Sequence, residues 1–519
     1  MSAGAAGQNN PEVQAQAERA EKLALAIEAM PWLEGTLAEL RALGWEDFQT
    51  GFGSRTGVAV IMLTPPAMLQ RRLQFTAGAL MLASTRPIHP GHADLARSIA
   101  ARPNSGIDPR LLLVADGRPK LVERVAALPH WQGIIAVVPD CPHLIEGQIL
   151  TLLRAADPFD VRSPVVGAEL VGRDDDLLQL VADLRAHPAI GLFGLRKMGK
   201  TSLAKAVMAR FTAHAEPGAS NTWAFAYVDA ELTIGGGVDG LATALCEQLR
   251  PPADRSGTPL KGLRGLERAV HHLVEKHRPV CLIIDEHDLL IGGNNSYAAG
   301  AIDLLRLLRA LSQDRSRGVH VVLVGRLPDA VNAPRVLGQL NPTLNYFRPH
   351  WVGPLSRTWS DALLRGLGEV AGLDFGPAAL DQAWELAAGH PLMTRLYGSE
   401  LLRQALAATP QGLLEGQPTD PFAIAARYQL LRGSEARNHF AEIKDLLTTT
   451  RPEALELLAE LALADDPAAR WAEADAEEPE SADLLRHFGL VEGQLGRVPG
   501  LLRHFLVPPP RRVRAAAVA

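Results

Sequence analysis

The sequence predicts an α/β protein in which helices cover parallel β-sheets, with a purely helical region nearer the C-terminal end. Short apolar runs, typical of buried strands, alternate with amphipathic helical patterns through most of residues 49–352. One such run, Ala189 to Phe193, leads into a glycine-rich loop and a further helical pattern. From Pro354 to about Gly433 only helical patterns remain. Strands that alternate with helices imply parallel sheets, and the last observation adds a helical domain.

The bulk composition restricts the classes of protein to which the chain can belong. Its 519 residues are 47% hydrophobic and carry a net charge of −6, which argues against nucleic-acid binding over the whole surface. Cys141, Cys246 and Cys281 lie far apart and form neither a disulfide framework nor a metal-ligand spacing. The N-terminus lacks a signal-peptide pattern, and no apolar run is long enough to span a bilayer. We therefore expect a cytoplasmic protein without a membrane partner.

Breaks in the hydrophobic pattern divide the chain into six segments. They are predicted to be an N-terminal helical segment, a small α/β domain, a linker, a larger α/β domain, a helical segment and a C-terminal domain with a basic tail. The corresponding residues are 1–48, 49–155, 156–165, 166–352, 353–433 and 434–519. Pro31 is expected to divide the N-terminal helical pattern into two helices.

The small domain shows no chemistry in its sequence. Its predicted parallel strands are Val58–Leu63, Arg110–Asp116 and Gly133–Asp140. Two of these end in aspartates, which at strand ends most often serve turns, and the patterns of nucleotide-binding turns, hydrolases and nucleases are absent. We therefore expect a recognition module for an unidentified protein partner.

The loop after Phe193 has the pattern of a phosphate cradle. Residues 194–201, GLRKMGKT, match G-x-x-x-x-G-K-[ST] at every fixed position. In such a loop backbone N–H groups point at phosphate oxygens, and here Lys200 would reach the β- and γ-phosphates while Thr201 would bind Mg²⁺. The helix that follows would direct its N-terminus at the anion. The residues predicted to contact the nucleotide here are Gly194, Arg196, Lys197, Met198, Gly199, Lys200, Thr201 and Ser202.

A second apolar run, residues 279–284, ends in carboxylates that complete such a site. We expect Asp285 to hold Mg²⁺ through a water, and Glu286 to act as the general base that polarises the attacking water. A third run, Val319 to Val324, precedes Arg326, a candidate sensor of the γ-phosphate. Exposed arginines after strands are common, so a purely structural role for Arg326 stays open.

Four motifs, in this order, resemble those of the additional-strand P-loop ATPases. They are VGRD at Val171–Asp174, RKMGKTSL at Arg196–Leu203, DEHD at Asp285–Asp288 and AGHP at Ala388–Pro391. More narrowly, they are similar to motifs of the signal-transduction ATPases with numerous domains (the STAND group) and of archaeal and initiator-type AAA+ ATPases. The resemblance covers residues 165 to about 510.

The resemblance implies a P-loop NTPase parallel-sheet core with a helical lid and a C-terminal winged-helix domain, preceded by the small α/β domain. It implies ATP or ADP and Mg²⁺ as ligands, with Val171, Gly172 and Arg173 beside the adenine and Pro391 near the base. A helix N-cap at the first motif and a helix stop at the last are simpler interpretations that stay open.

The family's arginine finger has no clear counterpart in this sequence. Arg315 and Arg317 are the candidates to act in trans, in an ATP-dependent homo-oligomer. The chain also lacks the C-terminal repeat sensor of the larger STAND proteins.

The C-terminal segment resembles a winged helix, with helices at Ala454–Ala464 and Ala482–Phe488 and then a strand, a wing and a return. The acidic run Glu473–Asp483 argues against docking in the major groove, because cations supply most DNA affinity. A protein-docking or intramolecular clamp role is therefore favoured, and DNA binding stays open. The arginines that would hold a DNA backbone are Arg497, Arg503, Arg511, Arg512 and Arg514.

These observations predict an ATP-binding and ATP-hydrolysing molecular switch with a low basal rate. It would couple nucleotide state to domain rearrangement, assembly or partner binding, by analogy in signalling or anti-phage defence. The alternative is an initiator-like or loader-like ATPase that binds DNA through its winged helix. A weaker third hypothesis is a scaffold that binds nucleotide but hardly turns it over.

Overall fold

The computed structural model describes most of the chain and divides it into two compact units. The first unit takes the described residues within Met1–Pro158, Leu367–Asp374 and Leu402–Pro418, and the second takes those within Phe159–Gly366, Phe375–Leu401 and Thr419–Ala519. The described residues are 21–53, 57–66, 69–70, 78–100, 107–127, 134–138, 144–145, 147–149, 157–160, 164–165, 167, 170–213, 223–250, 260–292, 296–314, 318–409 and 416–507.

The first unit is built around a five-stranded sheet of order β1-β2-β3-β4-β5. Its strands are β1 Glu46–Gly53, β2 Val58–Thr64, β3 Gly78–Ser84, β4 Ile107–Ala115 and β5 Ile134–Ala136. The helices that precede or connect them are α1 (residues 21–29), α2 Trp32–Ala42, α3 Pro90–Ala100 and α4 Leu121–Ala126. Pro31 separates α1 from α2, which confirms that prediction.

The prediction that this sheet is parallel is only partly correct. β1, β2 and β3 pair antiparallel, whereas β3, β4 and β5 pair parallel. β3 (GALMLAS) was not predicted, because its Ala, Leu and Met residues favour helices. Its side chains alternate between two apolar clusters, with Met81 in one and Leu80 and Leu82 in the other. Burial on both faces therefore overrides the local preference.

The second unit contains a sheet of five parallel strands in the order β12-β6-β9-β8-β7. The strands of this region are β6 Ala189–Phe193, β7 Ala224–Asp229, β8 Val280–Asp285, β9 Val319–Gly325, β10 Arg335–Val336, β11 Gln339–Leu340 and β12 Arg348–Trp351. β9 lies between β6 and β8. One strand therefore separates β6, which ends at the glycine-rich loop, from β8, which ends at the carboxylates.

Helices cover this sheet and continue as a largely helical C-terminal half. Within the ATPase-like core they are α5 Asp174–Ala186, α6 Lys200–Ala213, α7 Ala230–Thr233, α8 Gly237–Leu249, α9 Gly262–Glu275, α10 Asp288–Ile291, α11 Ala301–Gln313 and α12 Asp329–Asn332. The helices that follow are α13 Arg357–Ala371, α14 Pro377–Ala387, α15 Pro391–Ala408, α16 Ala423–Arg432, α17 Ser434–Thr450, α18 Pro452–Leu463, α19 Pro467–Glu477, α20 Pro479–Phe488 and α21 Gly500–Leu506. In the part of this region that belongs to the first unit, a short parallel ladder joins β13 Leu373–Asp374 to β14 Gln417–Pro418. No helix in the described ranges combines the length and apolar composition needed to cross a bilayer.

The acidic run Glu473–Asp483 covers the end of α19 and the start of α20, and sequence analysis did not predict α19. Asp466 caps α19 by accepting the N–H of Ala469 at 3.1 Å, Pro467 occupies its first turn, and Trp471 and Ala474 bury one face. After α20, the predicted wing is limited to one bridge between Glu492 and Arg497, and the apolar return is the helix α21. The winged helix therefore stays a prediction.

Candidate functional site

The carboxyl ends of parallel strands meet at one edge of the sheet in the second unit. The register pairs Phe193 with Gly325 and Asp229 with Asp285 on neighbouring strands. β6 and β8 are buried along their whole length. Ligands of open parallel sheets bind outside this edge, so the segments that follow these strands form the candidate site.

The glycine-rich loop between β6 and α6 has the backbone of an anion cradle. Gly194, Lys197 and Gly199 have positive φ angles of 147°, 64° and 97°. There is also no room for a side chain at Gly194, since an added Cβ would lie 2.5 Å from the carbonyl oxygen of Val352. Alternation of such conformations turns successive N–H groups toward a common concave side, as the sequence predicts for a phosphate loop.

Lys200 is buried at the first turn of α6 with its ammonium inside the loop. Its Nζ donates to the carbonyl oxygens of Gly194 at 2.9 Å and Leu195 at 2.8 Å. Burial lowers the pKa of Lys200, and the neighbouring Glu286 and Asp285 oppose that shift. An ammonium has three N–H donors, so a phosphate oxygen can accept the third.

Asp285, at the end of β8, collects three hydrogen-bond donors. Its Oδ2 accepts from the hydroxyl of Thr201 at 2.7 Å and from the hydroxyl of Tyr227 at 2.7 Å. Its Oδ1 accepts from the N–H of Glu286 at 2.9 Å. The structure thus brings together Thr201 and Asp285, the two residues predicted to hold the metal.

Tyr227 is a site residue that sequence analysis missed. It lies inside β7, two residues before the strand-terminal Asp229. Burial and the neighbouring Asp285 raise the pKa of the Tyr227 phenol, so its hydroxyl keeps its proton and acts as a donor. A strand pattern alone does not indicate that a side chain reaches the end of the adjacent strand. Asp229 itself caps α7 by accepting the N–H of Glu231 at 2.8 Å.

The donor set around Asp285 fits Mg²⁺. Thr201 and Asp285 offer a hydroxyl and a carboxylate oxygen, the ligand type that Mg²⁺ prefers, beside the phosphate loop. The described residues contain no group of three or more His, Cys, Asp or Glu side chains that could enclose a metal by themselves. Mg²⁺ is usually bound by one or two carboxylates together with substrate phosphates and waters.

Glu286 faces the same loop from the turn after β8. It has a positive φ of 52°, uncommon outside glycine, and it lines a cavity together with loop residues. Burial raises the pKa of its carboxyl group, and Lys200 opposes that shift. A raised pKa makes a carboxylate a stronger proton acceptor, as the predicted role of general base requires.

A cavity of about 220 Å³ lies between the loop and the first turns of α15. Ser202 and Glu286 line it on the sheet side, and Pro391 and Arg395 line it on the helix side. Pro391 therefore lines the cavity, and its place near the base stays a prediction. Arg395, only 8% exposed, was not predicted, although its position one helical turn after Pro391 is a signal that could have indicated it.

Arg326 is anchored to the acidic motif. Its N–H donates to Asp288 Oδ2 at 2.7 Å, and its Nε lies 3.9 Å from the same oxygen. Its carbonyl oxygen accepts the N–H of Gly194 at 3.3 Å, which joins it to the phosphate loop. Its role as a sensor stays a prediction. Arg315 and Arg317 lie outside the described residues.

The VGR motif packs against both the loop and the chain that leaves the sheet. The buried Arg173 donates to the carbonyl oxygens of Met198 at 2.9 Å and Gly353 at 2.7 Å, and pairs with Asp176 at 2.8 Å. Gly172 has a φ of 71° and lies against Trp359 of α13. Val171 precedes it in the same turn. The described contacts of Arg173 therefore show that it stabilises the phosphate loop through the carbonyl oxygen of Met198.

Two pairs of side chains connect this site to α17, which sequence analysis did not predict. Arg196 of the loop donates to Glu442 at 2.9 Å. His390, which immediately precedes Pro391, lies with its Nε2 3.0 Å from that of His439, and both rings are buried. Burial and the neighbouring His439 lower the pKa of His390, and burial lowers that of His439 to about 4. Both histidines are therefore neutral at neutral pH.

Residues 185–330 match the family model of the AAA domain. No match was found among curated proteins. Among solved structures, the chain is similar to the Walker-type ATPase PABY2304 of Pyrococcus abyssi, at 18% identity over 67% of this chain and 99% of that chain, with a TM-score of 0.47. It is similar to the Aeropyrum pernix ORC2 protein (ADPNP–ADP complexes) at 16% identity, 67% and 96% coverage and a TM-score of 0.39. It is also similar to Drosophila ORC bound to DNA, at 16% identity, 65% and 78% coverage and a TM-score of 0.37.

The sheet and the loop define the class of fold. The strand order, the phosphate loop after β6 and the carboxylates after β8 define a P-loop NTPase fold. Residues 185–330, which match the AAA domain model, contain the phosphate loop and the carboxylates of this fold.

Proposed function

We propose that the protein is an ATP-dependent molecular switch in which the phosphate loop signals to the C-terminal helices. The observation that carries this proposal is the Arg196–Glu442 pair at 2.9 Å, which joins a loop residue predicted to contact phosphate to α17. The adjacent His390–His439 contact joins α17 to the residue before the cavity-lining Pro391. A ligand that competes for Arg196 would therefore act directly on α17.

The same geometry supports ATP hydrolysis. Lys200 and the loop N–H groups would hold the phosphates, and Arg395 would approach them from the lid. Thr201 and Asp285 would hold Mg²⁺, which when bound supplies charge neutralisation at the phosphates. Glu286 would accept a proton from the attacking water. Positioning and electrostatics are the main contributions of a protein to phosphoryl transfer.

The DNA-loading alternative has less support in the described residues. Arg486, on the candidate recognition helix α20, already pairs with Asp475 and Asp483. Arg470 on α19 is likewise surrounded by Glu460, Glu473 and Glu478. Their charge is thus balanced within the domain, which weakens attraction to a phosphate backbone.

The test is the solution mass of the Glu286→Gln protein by light scattering, with Mg–ATP or ADP and with or without a DNA duplex. This variant should bind ATP without turning it over, and it should show an ATP-dependent change of mass or of hydrodynamic radius that DNA does not alter. A change that requires both ATP and DNA would favour the loader. Lys200→Ala is the matched control, and retained tight ATP binding by that variant would contradict the site.

A further inference from the structure

The carboxylate of Asp285, which is predicted to hold the metal, receives a hydrogen bond from outside the phosphate loop. Asp285 accepts three hydrogen bonds. One comes from Thr201 on α6, the helix after the phosphate loop, and one comes from the N–H of Glu286 in the turn after β8. The third comes from the Tyr227 hydroxyl on the adjacent strand, at 2.7 Å. An ionised carboxylate has about four lone-pair positions, so these donors leave about one for a metal-bound water.

The backbone of Tyr227 is held by α8, on the side of β7 that faces away from β8. β7 is the last strand of the sheet, so it has a free backbone edge where another strand would pair. The side chain of Gln248 on α8 occupies that edge: its Oε1 accepts the Tyr227 N–H at 2.9 Å and its Nε2 donates to the Tyr227 carbonyl oxygen. In addition, Lys205 of α6 lies 5.3 Å from the centre of the Tyr227 ring. The phenol is thus fixed between the loop helix and the end of β8.

We propose that Tyr227 is a positioning residue for Mg²⁺, which fixes the rotation of the Asp285 carboxylate so that its remaining lone pair is available to a metal-bound water. The proposal rests on the function proposed above, because it requires that this site binds Mg–ATP. Tyr227 acts through Asp285 and does not itself contact nucleotide or metal. Hydrogen-bond partners of metal ligands usually change metal affinity by about 10- to 100-fold when they are removed.

The experiment compares Tyr227→Phe with the wild-type protein by calorimetric titration of a non-hydrolysable ATP analogue, with excess Mg²⁺ and with EDTA. The ratio of the two affinities isolates the contribution of the metal. Tyr227→Phe should lower this ratio about tenfold and leave the affinity in EDTA unchanged. Electron paramagnetic resonance of Mn²⁺ with the same analogue should show a matching loss of metal affinity. Tyr428→Phe is the control, because Tyr428 is exposed and its hydroxyl accepts from Arg432 on the same helix.

A double-mutant cycle separates positioning from a structural effect. In the Asp285→Asn background, Tyr227→Phe should have no further effect on the Mg²⁺ ratio, since the partner through which it acts is gone. An additive loss there, an equal loss of affinity with and without Mg²⁺, or a ratio equal to that of the wild-type protein would each overturn the proposal. If the wild-type protein itself binds the analogue no better with Mg²⁺ than with EDTA, the proposed function fails together with it.

Discussion

The buried histidine pair beside the cavity predicts a defined loss of stability in acid. Burial lowers the pKa of His439 to about 4, whereas in the unfolded chain it would titrate near the ordinary value of about 6.5. Between these values the unfolded chain binds a proton that the folded chain does not. The stability that the neutral ring confers is therefore complete above the unfolded pKa and is lost as the pH falls toward the folded one.

The size of this loss follows from the shift. One pKa unit corresponds to about 1.4 kcal/mol, so His439 should reduce the free energy of unfolding by about 2 kcal/mol at pH 5. The charged groups around the ring act in opposite directions. Glu442 favours protonation, whereas Arg196, Lys197 and Lys200 of the loop disfavour it.

The assay is urea unfolding of the wild-type protein and of His439→Gln at about pH 7.5 and at pH 5. Glutamine can keep a hydrogen bond to His390 but cannot titrate, so this variant should lose about 2 kcal/mol less on acidification than the wild-type protein. His272→Gln, an exposed change on α9, should behave like the wild-type protein. The same pH dependence in all three proteins would refute the reasoning.

Two further predictions concern the loop. Gly194→Ala should destabilise the second unit by at least about 2 kcal/mol and abolish nucleotide binding, since its Cβ would meet Val352 at a φ of 147°; a melting temperature and an ATP titration equal to those of the wild-type protein would contradict this. Glu442→Gln should change stability by under about 1 kcal/mol, because the pair with Arg196 is about half exposed. It should nevertheless raise ATP affinity severalfold by releasing Arg196, and an unchanged affinity in calorimetry would exclude the competition between Glu442 and phosphate.

The part of the site that could be predicted from the sequence is the part formed by local backbone. The loop from Gly194 to Thr201 needs glycines and a lysine at fixed spacing, because its own N–H groups make the cradle. Asp285 was predictable for a related reason, since a carboxylate that ends a fully buried strand indicates a cation or a donor nearby. Sheet register then brings these two segments together, and a parallel strand order allows few other arrangements.

The remaining contacts depend on tertiary packing that leaves no local pattern. Glu442 lies 246 positions after Arg196 and is one of many acids on amphipathic helices. Tyr227 is a residue type common in strands, and it reaches Asp285 only because β7 pairs with β8. In the first unit, β3 was missed for the opposite reason, because its residues have helical preferences that burial on both faces outweighs.

The buried guanidinium of Arg173 has a consequence for where the molecule can bend. It joins the segment before α5, the phosphate loop and Gly353 by hydrogen bonds to two main-chain carbonyls 155 residues apart, at Met198 and Gly353. A bend in the chain before Gly353 would therefore break the buried hydrogen bond from the Arg173 guanidinium to the Gly353 carbonyl oxygen. The next residue is Pro354, and Leu355 already donates its N–H to Gly389 beside the cavity. We therefore expect the chain to bend near Pro354 if nucleotide moves the helices after the sheet.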